Sequence, residues 1–316
     1  MHYEAQEAPL PATTAAVAVI TPCLNEESTL AALVSSIAEQ SYPPSRWIIV
    51  DDGSTDGSVD LARSLTAGLP WAEVIALSAD SNGDRNFSKK ARAVNTGYER
   101  MQQDGVTPDF IACVDADVEL PSDFFEVAVQ KFDDDSELGV TGGRFLHPVN
   151  GELKVRKEHD AHVPGPAQVF RRETFDAIGG YLELRHGGID TVANYLARRE
   201  GWTTSTFDDL TFTHARQMGT GGGRSLMRAA YQLGQQDWDL GTLPEFEALK
   251  VVKDLREEPI VIGSLLRAVG YLISVVRRRD RSTPPDVQSF IRAEQRARLE
   301  ELLPSWFPLR PDKERF

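Results

Sequence analysis

The sequence predicts an α/β protein in which helices cover both faces of a mostly parallel sheet, followed by a helical C-terminal extension. Over roughly the first 140 residues, apolar runs that end in polar turns alternate with amphipathic stretches of helical period. The chain has 316 residues, 41% of them hydrophobic, which is enough to bury a sizeable core. Acidic residues follow two of the apolar runs directly, so a ligand site is expected at the carboxyl edge of the sheet.

The first elements alternate between strand and helix, and the pattern then loosens. Apolar runs predict strands at 17–20, 48–50, 74–77, 110–114 and 139–141. Stretches of helical period between them predict helices at 30–38, 59–65, 91–101 and 124–132. Beyond residue 142 we expect helices at 172–178 and 191–199, with short strand pieces at 203–207 and 211–213.

The rest of the chain has mostly helical character. Its apolar periodicity predicts helices at 226–233, 246–255, 260–276 and 287–303. A run of glycines at 221–223 marks the best internal boundary. We therefore divide the chain into a flexible leader at 1–16, a main α/β domain at 17–220 and a helical extension at 221–316.

Charge and cysteine content argue against some classes of protein. The formal net charge of −14 disfavours a nucleic-acid binder, because phosphate neutralisation needs clustered Lys and Arg. Only two cysteines are present, Cys23 and Cys113, and both lie in apolar runs, which indicates buried thiols in a reducing compartment. The N-terminus lacks the pattern of a secretory signal. We expect a cytoplasmic protein.

The apolar segment 260–276 raises the question of a membrane. It is interrupted by Arg267 and is short for a spanning helix, which needs about 20 residues. Arginines follow it at once: Arg277, Arg278, Arg279 and Arg281. This combination permits peripheral docking on the anionic inner face of the cell membrane. A helix that packs on the main domain, with a basic end that complements its own dipole, explains the segment about as well.

The stretch VDDGSTDGS, residues 50–58, places Asp51 and Asp52 directly after an apolar run. Such a run closed by Asp, Gly and Ser is typical of a buried strand that ends in a turn. Ligands bind beyond the carboxyl ends of strands in open α/β sheets, so both carboxylates are candidate ligand contacts. The alternative is that they only begin the next helix, because Asp and Ser are good turn and N-cap residues.

The first strand leads into TPCLNEE, residues 21–27, which contains no glycine. A dinucleotide-binding unit needs a glycine-rich turn at this place so that backbone can approach the pyrophosphate. A P-loop is also missing from the sequence. Any phosphate charge must therefore be met by side chains or by a metal.

A further pair of carboxylates, Asp115 and Asp117, follows the apolar run 110–114. Two like charges this close are costly unless a cation lies beside them, and a hard divalent metal is the natural partner. Mg²⁺ uses few protein carboxylates and shares its other positions with water and substrate phosphates. A lone D-x-D motif is a weak signal, and a purely structural role is the alternative.

Several motifs occur together between residues 21 and 190. They are TPCLNEE (21–27), VDDGSTDGS (50–58), KKARAVNTG (89–97), VDADVELP (114–121), FRRETFDAIGGY (170–181) and HGGID (186–190). In these motifs and in their order, the chain resembles the family 2 glycosyltransferases of the GT-A fold. The match is specific to the superfamily and not to one sugar.

The resemblance implies a role for particular residues. It assigns nucleotide-sugar binding to Pro22, Asn25, Glu26, Asp51, Asp52, Lys90, Asn95, Asp115 and Ala116. It implies that Asp117 binds a divalent metal, Mg²⁺ or Mn²⁺, on the diphosphate, and that Asp190 deprotonates the acceptor hydroxyl. A plain N-cap is the alternative for Asp190. His214 could complete the metal site, or it is a histidine that faces solvent or core.

The activity that the resemblance implies is an inverting, metal-dependent transfer of one sugar to an acceptor hydroxyl. The donor would be a nucleotide-diphosphate sugar, with a UDP-sugar preferred, and the acceptor a glycan or a lipid-linked molecule. Two departures are that Ile189 precedes Asp190 where many relatives carry an acidic residue, and that the Q-x-x-R-W signature of processive synthases is absent. The alternatives are a non-catalytic relative that binds a sugar nucleotide and a phosphohydrolase of the haloacid dehalogenase type.

Overall fold

The structure, a computed structural model, describes residues 15–78, 87–149, 152–155, 159–215, 225–256 and 259–302. Most of the predicted leader and the boundary predicted near residue 220 lie outside the described residues. Within those residues the chain forms nine strands, ten α-helices and one 3-10 turn. These elements build the α/β fold that the alternating sequence pattern predicts.

The elements follow the chain in the predicted order. The strands are β1 (Val17–Cys23), β2 (Arg46–Asp51), β3 (Ala72–Ala76), β4 (Phe110–Val114), β5 (Val118–Glu119), β6 (Leu138–Val149), β7 (Glu152–Val155), β8 (Ala167–Arg171) and β9 (Thr203–His214). The helices are α1 (Leu30–Ala38), α2 (Ser58–Thr66), α3 (Ser88–Gln103), α4 (Phe124–Asp134), α5 (Arg172–Ile178), α6 (Ile189–Arg199), α7 (Leu226–Asp239), α8 (Pro244–Lys253), α9 (Ile262–Val276) and α10 (Pro285–Leu302). A 3-10 turn at Asp254–Arg256 follows α8.

All described strands join one sheet, in the order β3-β2-β1-β4-β8-β6-β9-β5, with β7 paired to β6. Strands β3, β2, β1 and β4 run parallel to their neighbours. Strand β8 is antiparallel to both β4 and β6, whereas β6 and β9 are again parallel. The carboxyl ends of β1, β2 and β4 therefore lie at one edge of the sheet, where a ligand site is expected.

The sheet differs from the sequence prediction in several strands, and the short strands β5 and β7 were not predicted. Strand β8 was not predicted, because its five residues stand alone between a Gly-Pro turn and a helix. The two strand pieces predicted near 203–213 form one strand, β9, whose register against β6 shifts after Gly143. A Cβ at Gly143 would lie 1.8 Å from the Leu210 carbonyl oxygen, so this close approach of the strands requires glycine.

The core has one layer on each face of the sheet. On one face Leu33, Trp47 and Phe125 belong to a buried cluster, and on the other Ile20 and Phe170 belong to a second one. Helix α3 approaches β1 closely at Gly97, where a Cβ would lie 2.6 Å from the Ile20 side chain. This approach holds the N-terminal half of α3, with its lysines, over the sheet. The two cysteines are buried and free, as predicted.

The helical extension is built around a close crossing of α7 and α9. A Cβ at Gly234 would lie 1.9 Å from the Arg267 carbonyl oxygen, and one at Gly270 would lie 2.1 Å from that of Tyr231. The two helices therefore touch backbone to backbone, which only glycine permits. Among the described helices, none has both the length and the hydrophobicity needed to cross a bilayer.

A buried ion network fixes the same helices. Arg267, which interrupts the apolar segment in the sequence, pairs with Asp237 on α7, with Glu247 on α8 at 3.2 Å and with Asp254 at 2.6 Å. Its side chain is only 11% exposed. Burial, reinforced by Asp237, raises the pKa of Glu247 to about 8. Arg267 therefore lies on the inward face of α9, where it and Lys250 together neutralise the buried Asp237.

We predict that Arg267→Met lowers the free energy of unfolding by about 3 kcal/mol, because the buried Asp237 keeps only Lys250 as its cation and Asp254 loses its ion pair. The matched control is Arg277→Met at the end of the same helix, where the side chain is exposed. That change should alter stability by no more than about 0.5 kcal/mol. Chemical denaturation measures both values, and equal losses would contradict the role given to the network.

Candidate active site

Three strand ends converge at the predicted edge of the sheet. Strand β1 ends at Cys23, β2 ends at Asp51, and β4 ends directly before Asp115. The register pairs Cys23 with Asp51, and the amide of Asp52 donates to the Cys23 carbonyl at 3.0 Å. The sheet therefore brings the two acidic motifs of the sequence to the same edge.

Lys90 is the positive centre of this edge. Its Nζ lies 2.5 Å from Oδ1 of Asp115 and donates to the Gly165 carbonyl at 3.3 Å. Burial disfavours the charge on Lys90, but the attraction of Asp115 outweighs it and raises the pKa of the ammonium group. Burial also raises the pKa of Asp115, and the neighbouring Asp117 adds to that increase. The pair thus links α3, the end of β4 and the turn before β8.

Gly165 also brings Asp190 to this centre. A Cβ at Gly165 would lie 2.8 Å from the Cβ and Cγ of Asp190, so the two residues are in direct contact. Helix α6 begins at Ile189 with Gly188 as its N-cap, which places Asp190 in the first turn and not at the cap. Asp190 therefore contacts the same glycine whose carbonyl accepts from Lys90, and Asp190 also acts electrostatically on Lys90.

A short strand joins Asp117 to His214. Strand β5, which the sequence does not reveal, pairs Val118 with His214 and brings Oδ1 of Asp117 within 3.4 Å of Nε2 of His214. Both side chains are mostly buried. Among the described residues, no group of three or more His, Cys, Asp and Glu could hold a metal ion. A carboxylate and an imidazole fit a divalent cation that takes its remaining ligands from a diphosphate and water.

The two aspartates at the end of β2 make different contacts. Oδ2 of Asp51 accepts hydrogen bonds from the amides of Gly53 at 3.0 Å and Ser54 at 2.9 Å. Oδ1 of Asp52 pairs with Arg92 at 2.6 Å. The other oxygen of Asp52 is buried and has no hydrogen-bond partner among the described residues. That oxygen is an acceptor that a ligand could satisfy.

The TPCLNEE loop is joined to the turn after β2. Asn25 has a left-handed backbone, with φ of 57°, and its side-chain oxygen accepts from the Thr55 amide at 2.7 Å. The amide of Glu26 donates to the hydroxyl of Ser58 at 2.8 Å, and Pro22 is paired with Val50 in the sheet. These contacts join the two loops to each other. The nucleotide contacts expected of Pro22, Asn25 and Glu26 stay predictions.

Asn95 connects α3 to the segment after α5. Its side-chain amide donates to the Tyr181 carbonyl at 2.8 Å and its oxygen accepts from the Tyr181 amide at 2.9 Å. Gly180, with φ of 76°, leaves room for this exchange, since a Cβ there would lie 2.5 Å from the Asn95 oxygen. The described contacts of Asn95 are therefore structural, and its predicted contact with the nucleotide sugar stays a prediction.

Sequence reasoning missed several residues that support Asp190. The Tyr181 hydroxyl donates to Gln168 at 2.5 Å, and the amide of Gln168 reaches the Val163 carbonyl at 2.9 Å. The side chain of Asn194, one helical turn after Asp190, donates to the carbonyls of Val163 and Asp190 at 2.9 and 3.0 Å. All three polar side chains are buried: Gln168 lies in β8, Tyr181 in the segment between α5 and α6, and Asn194 in α6. A single sequence offers no signal that separates them from core positions.

The extension touches the loop that leads to Asp190. Gln236 of α7 lies against Gly187 and Gly188, where added Cβ atoms would come within 3.0 and 2.8 Å of its side chain. Both glycines have positive φ, 100° and 79°. His186 precedes them, and burial lowers its pKa. In the sequence, the paired glycines of HGGID are the feature that could have indicated this close contact between the loop and another element.

The sheet order, with carboxylates at the ends of its parallel strands, is that of an α/β protein of the GT-A fold. The family comparison agrees, since the model of "Glycosyl transferase family 2" matches residues 18–200. The chain belongs to glycosyl transferase family 2 and is a glycosyltransferase. The phosphohydrolase alternative is therefore not favoured.

Two curated relatives cover most of the chain. The succinoglycan biosynthesis protein ExoA of Rhizobium meliloti (strain 1021) is 25% identical in an alignment of 300 residues that covers 83% of this chain and 82% of that protein. An undecaprenyl-phosphate 4-deoxy-4-formamido-L-arabinose transferase of Aeromonas hydrophila is 24% identical in an alignment of 276 residues that covers 82% of this chain and 75% of that protein. The similarity thus extends beyond the part matched by the family model.

Two solved structures share the fold. A mannosyltransferase of Pyrobaculum calidifontis, in complex with GDP-Man and Mn²⁺, gives a TM-score of 0.54 at 17% identity and covers 96% of this chain and 80% of its own. Residues 1–349 of TarS from S. aureus, in complex with UDP-GlcNAc, give a TM-score of 0.51 at 15% identity, covering 81% and 71%. At this identity the likeness establishes the fold alone.

We predict that Gly188→Ala costs at least about 2 kcal/mol of stability, because the new methyl group meets Gln236 as well as a strained φ. Gly105→Ala is the matched control, since Gly105 has a φ of 71° but no atom within 4 Å of the added Cβ. It should cost about 1 kcal/mol through backbone strain alone. Equal losses in chemical denaturation would mean that α7 does not support the loop before Asp190.

Proposed function

We propose that the protein catalyses an inverting, metal-dependent transfer of one sugar from a nucleotide-diphosphate sugar to an acceptor hydroxyl. The observation that carries the proposal is the convergence of Lys90, Asp115 and Asp190 around Gly165. A cation for the donor and a carboxylate for the acceptor lie within a few ångströms of one residue. A single displacement needs both groups at one centre, one for the leaving diphosphate and one for the attacking hydroxyl.

The donor would bind along the ends of β1, β2 and β4. The buried oxygen of Asp52 that lacks a partner among the described residues supports a contact with a polar group of the base or ribose. Lys90 stays positive at neutral pH because its pKa is raised, which suits a diphosphate. We propose that Pro22, Asn25, Glu26, Asp51, Asn95 and Ala116 complete this pocket, and that the donor is a UDP-sugar.

Asp117 and His214 would hold the divalent metal, Mg²⁺ or Mn²⁺. Their separation of 3.4 Å and their burial support a shared ligand, and their small number leaves positions for diphosphate oxygens. When bound, the cation supplies Lewis-acid stabilisation of the charge that develops on the departing diphosphate. Because Mg²⁺ takes oxygen ligands, the imidazole beside the carboxylate suits Mn²⁺ better.

Asp190 would act as the general base. Gly165 fixes its side chain from one side, and the first turn of α6 fixes its backbone from the other. A carboxylate held in this way can take the proton of an attacking hydroxyl, a contribution on the order of 10² to 10⁴ in rate. Attack on the anomeric carbon from the face opposite the diphosphate then inverts its configuration.

We further propose that the acceptor is a lipid-linked molecule or a growing surface glycan, and that the enzyme works peripherally at the cytoplasmic face of the membrane. The names of the two relatives support this, since one takes part in succinoglycan biosynthesis and the other transfers to undecaprenyl phosphate. A role in polysaccharide biosynthesis follows from the same proposal.

We predict that a nucleotide sugar raises the thermal midpoint by several degrees when Mn²⁺ or Mg²⁺ is present. A ligand at about 100 times its Kd adds about 2.7 kcal/mol to the stability of the native state. Asp117→Asn should remove the metal-dependent part of the shift, whereas Asp123→Asn, an exposed carboxylate at the start of α4, should leave it intact. The metal assignment fails if the shift is the same with and without metal.

We predict that Gly165→Ala lowers the rate of sugar transfer, measured as nucleoside diphosphate released, by about 10²-fold. The new Cβ displaces Asp190, and a misplacement of about 1 Å has an effect of that size. Donor binding should persist. Gly68→Ala is the control, because its added Cβ meets no atom within 4 Å. Asp190→Asn should reduce the rate at least as much, and full activity in that variant would exclude Asp190 as the base.

A further inference from the structure

Helix α9 presents an apolar stripe at the surface of the protein. Five large aliphatic side chains along the helix are 43 to 80% exposed: Ile262, Leu265, Val269, Leu272 and Val276. At 3.6 residues per turn these five positions lie within about 80° of the helix circumference, so they form one continuous face. We call these five residues the α9 stripe.

The opposite face of α9 is occupied. Gly263, Gly270 and Tyr271 are buried there, and the close crossing with α7 lies on this side. Arg267 is the only charged residue between Ile262 and Val276, and it points into the ion network of the extension. The charge that interrupts the apolar segment in the sequence is therefore not on the surface, and the α9 stripe carries no charge along its length.

Positive charge lies at one end of the stripe. Arg277 and Arg278 follow Val276 and are exposed. No acidic residue occurs from Pro259 to Arg279, and Asp280 is the first one after the stripe. In a chain of net charge −14, this is a local basic end on an otherwise acidic protein. An apolar face with a basic end is complementary to a bilayer surface that carries anionic headgroups.

We propose that the α9 stripe docks on an anionic phospholipid bilayer, with its aliphatic side chains at the headgroup and acyl boundary and Arg277 and Arg278 among the headgroups. The helix has 15 residues and is about 22 Å long, shorter than the hydrocarbon core of about 30 Å, so it lies in the interface plane. The stripe is purely aliphatic, whereas protein interfaces are enriched in Tyr, Trp and Arg. This composition favours lipid over a second copy of the chain.

The position of the stripe suits a lipid-linked acceptor. Helix α7 contacts α9 on one side and, through Gln236, the Gly187–Gly188 loop on the other. The loop that leads to Asp190 is therefore separated from α9 by one helix. This last step rests on the proposed function, whereas the docking itself does not depend on any activity.

Co-sedimentation of the full chain with vesicles tests the docking. The protein should bind vesicles that contain phosphatidylglycerol more tightly than vesicles of phosphatidylcholine alone, and salt should weaken this binding. The double variant Leu265→Glu and Leu272→Glu should reduce binding at least about tenfold, since each leucine loses its burial in lipid. Leu153→Glu on β7 is the matched control, because Leu153, Leu265 and Leu272 are each 57% exposed. It should bind as the unaltered protein does.

A second double variant tests the contribution of the arginines to vesicle binding. Arg277→Gln with Arg278→Gln should abolish the preference for anionic vesicles. The proposal is overturned if the unaltered protein ignores anionic vesicles at low salt, or if Leu153→Glu is as harmful as the stripe variant. It is also overturned if sedimentation equilibrium finds a dimer that the stripe variant dissociates, since a second copy then covers the stripe. The nucleotide-sugar thermal shift, measured on the same variants, should be unchanged and tests the proposed function separately.

Discussion

The contact between Lys90 and Asp115 is the interaction on which the rest of the site depends. It joins α3 to the end of β4, and through the Gly165 carbonyl it reaches the turn on which Asp190 rests. Without the ammonium group, Asp115 and Asp117 would place like charges together at a partly buried strand end, which is costly. Gly97 makes the contact possible, because it lets α3 approach the sheet closely enough for Lys90 to reach the edge.

The helical extension packs against the loop that leads to Asp190. The ion network at Arg267 fixes α7, α8 and the turn after α8 against α9. Helix α7 in turn presses Gln236 on the two glycines that precede α6. Buried charges in the extension thus help to hold α7 against the loop that leads into α6. Since a base must be placed to within a fraction of an ångström, this support matters for any reaction at Asp190.

The sequence predicted the parallel half of the sheet because each of its strands is a buried apolar run followed by a turn. It did not predict β5 and β7, which have only two and four residues, or β8, which owes its place to pairing with β4 and β6. The sequence analysis expected Asp117 and His214 at one metal site, and the pairing of β5 with β9 is what brings the two side chains together. The inward orientation of Arg267 was likewise hidden, because the face on which a charge lies is set by the packing of α9 against α7.

We propose that the strand-end carboxylates bind a divalent cation together with a diphosphate and not alone. Electron paramagnetic resonance of Mn²⁺ measures this directly, as a titration of the protein with and without a nucleoside diphosphate. Because Asp117 and His214 offer only two ligands, Mn²⁺ should bind weakly to the protein alone. It should bind at least about tenfold more tightly when the nucleoside diphosphate is present. An affinity for Mn²⁺ that the nucleotide leaves unchanged would contradict it.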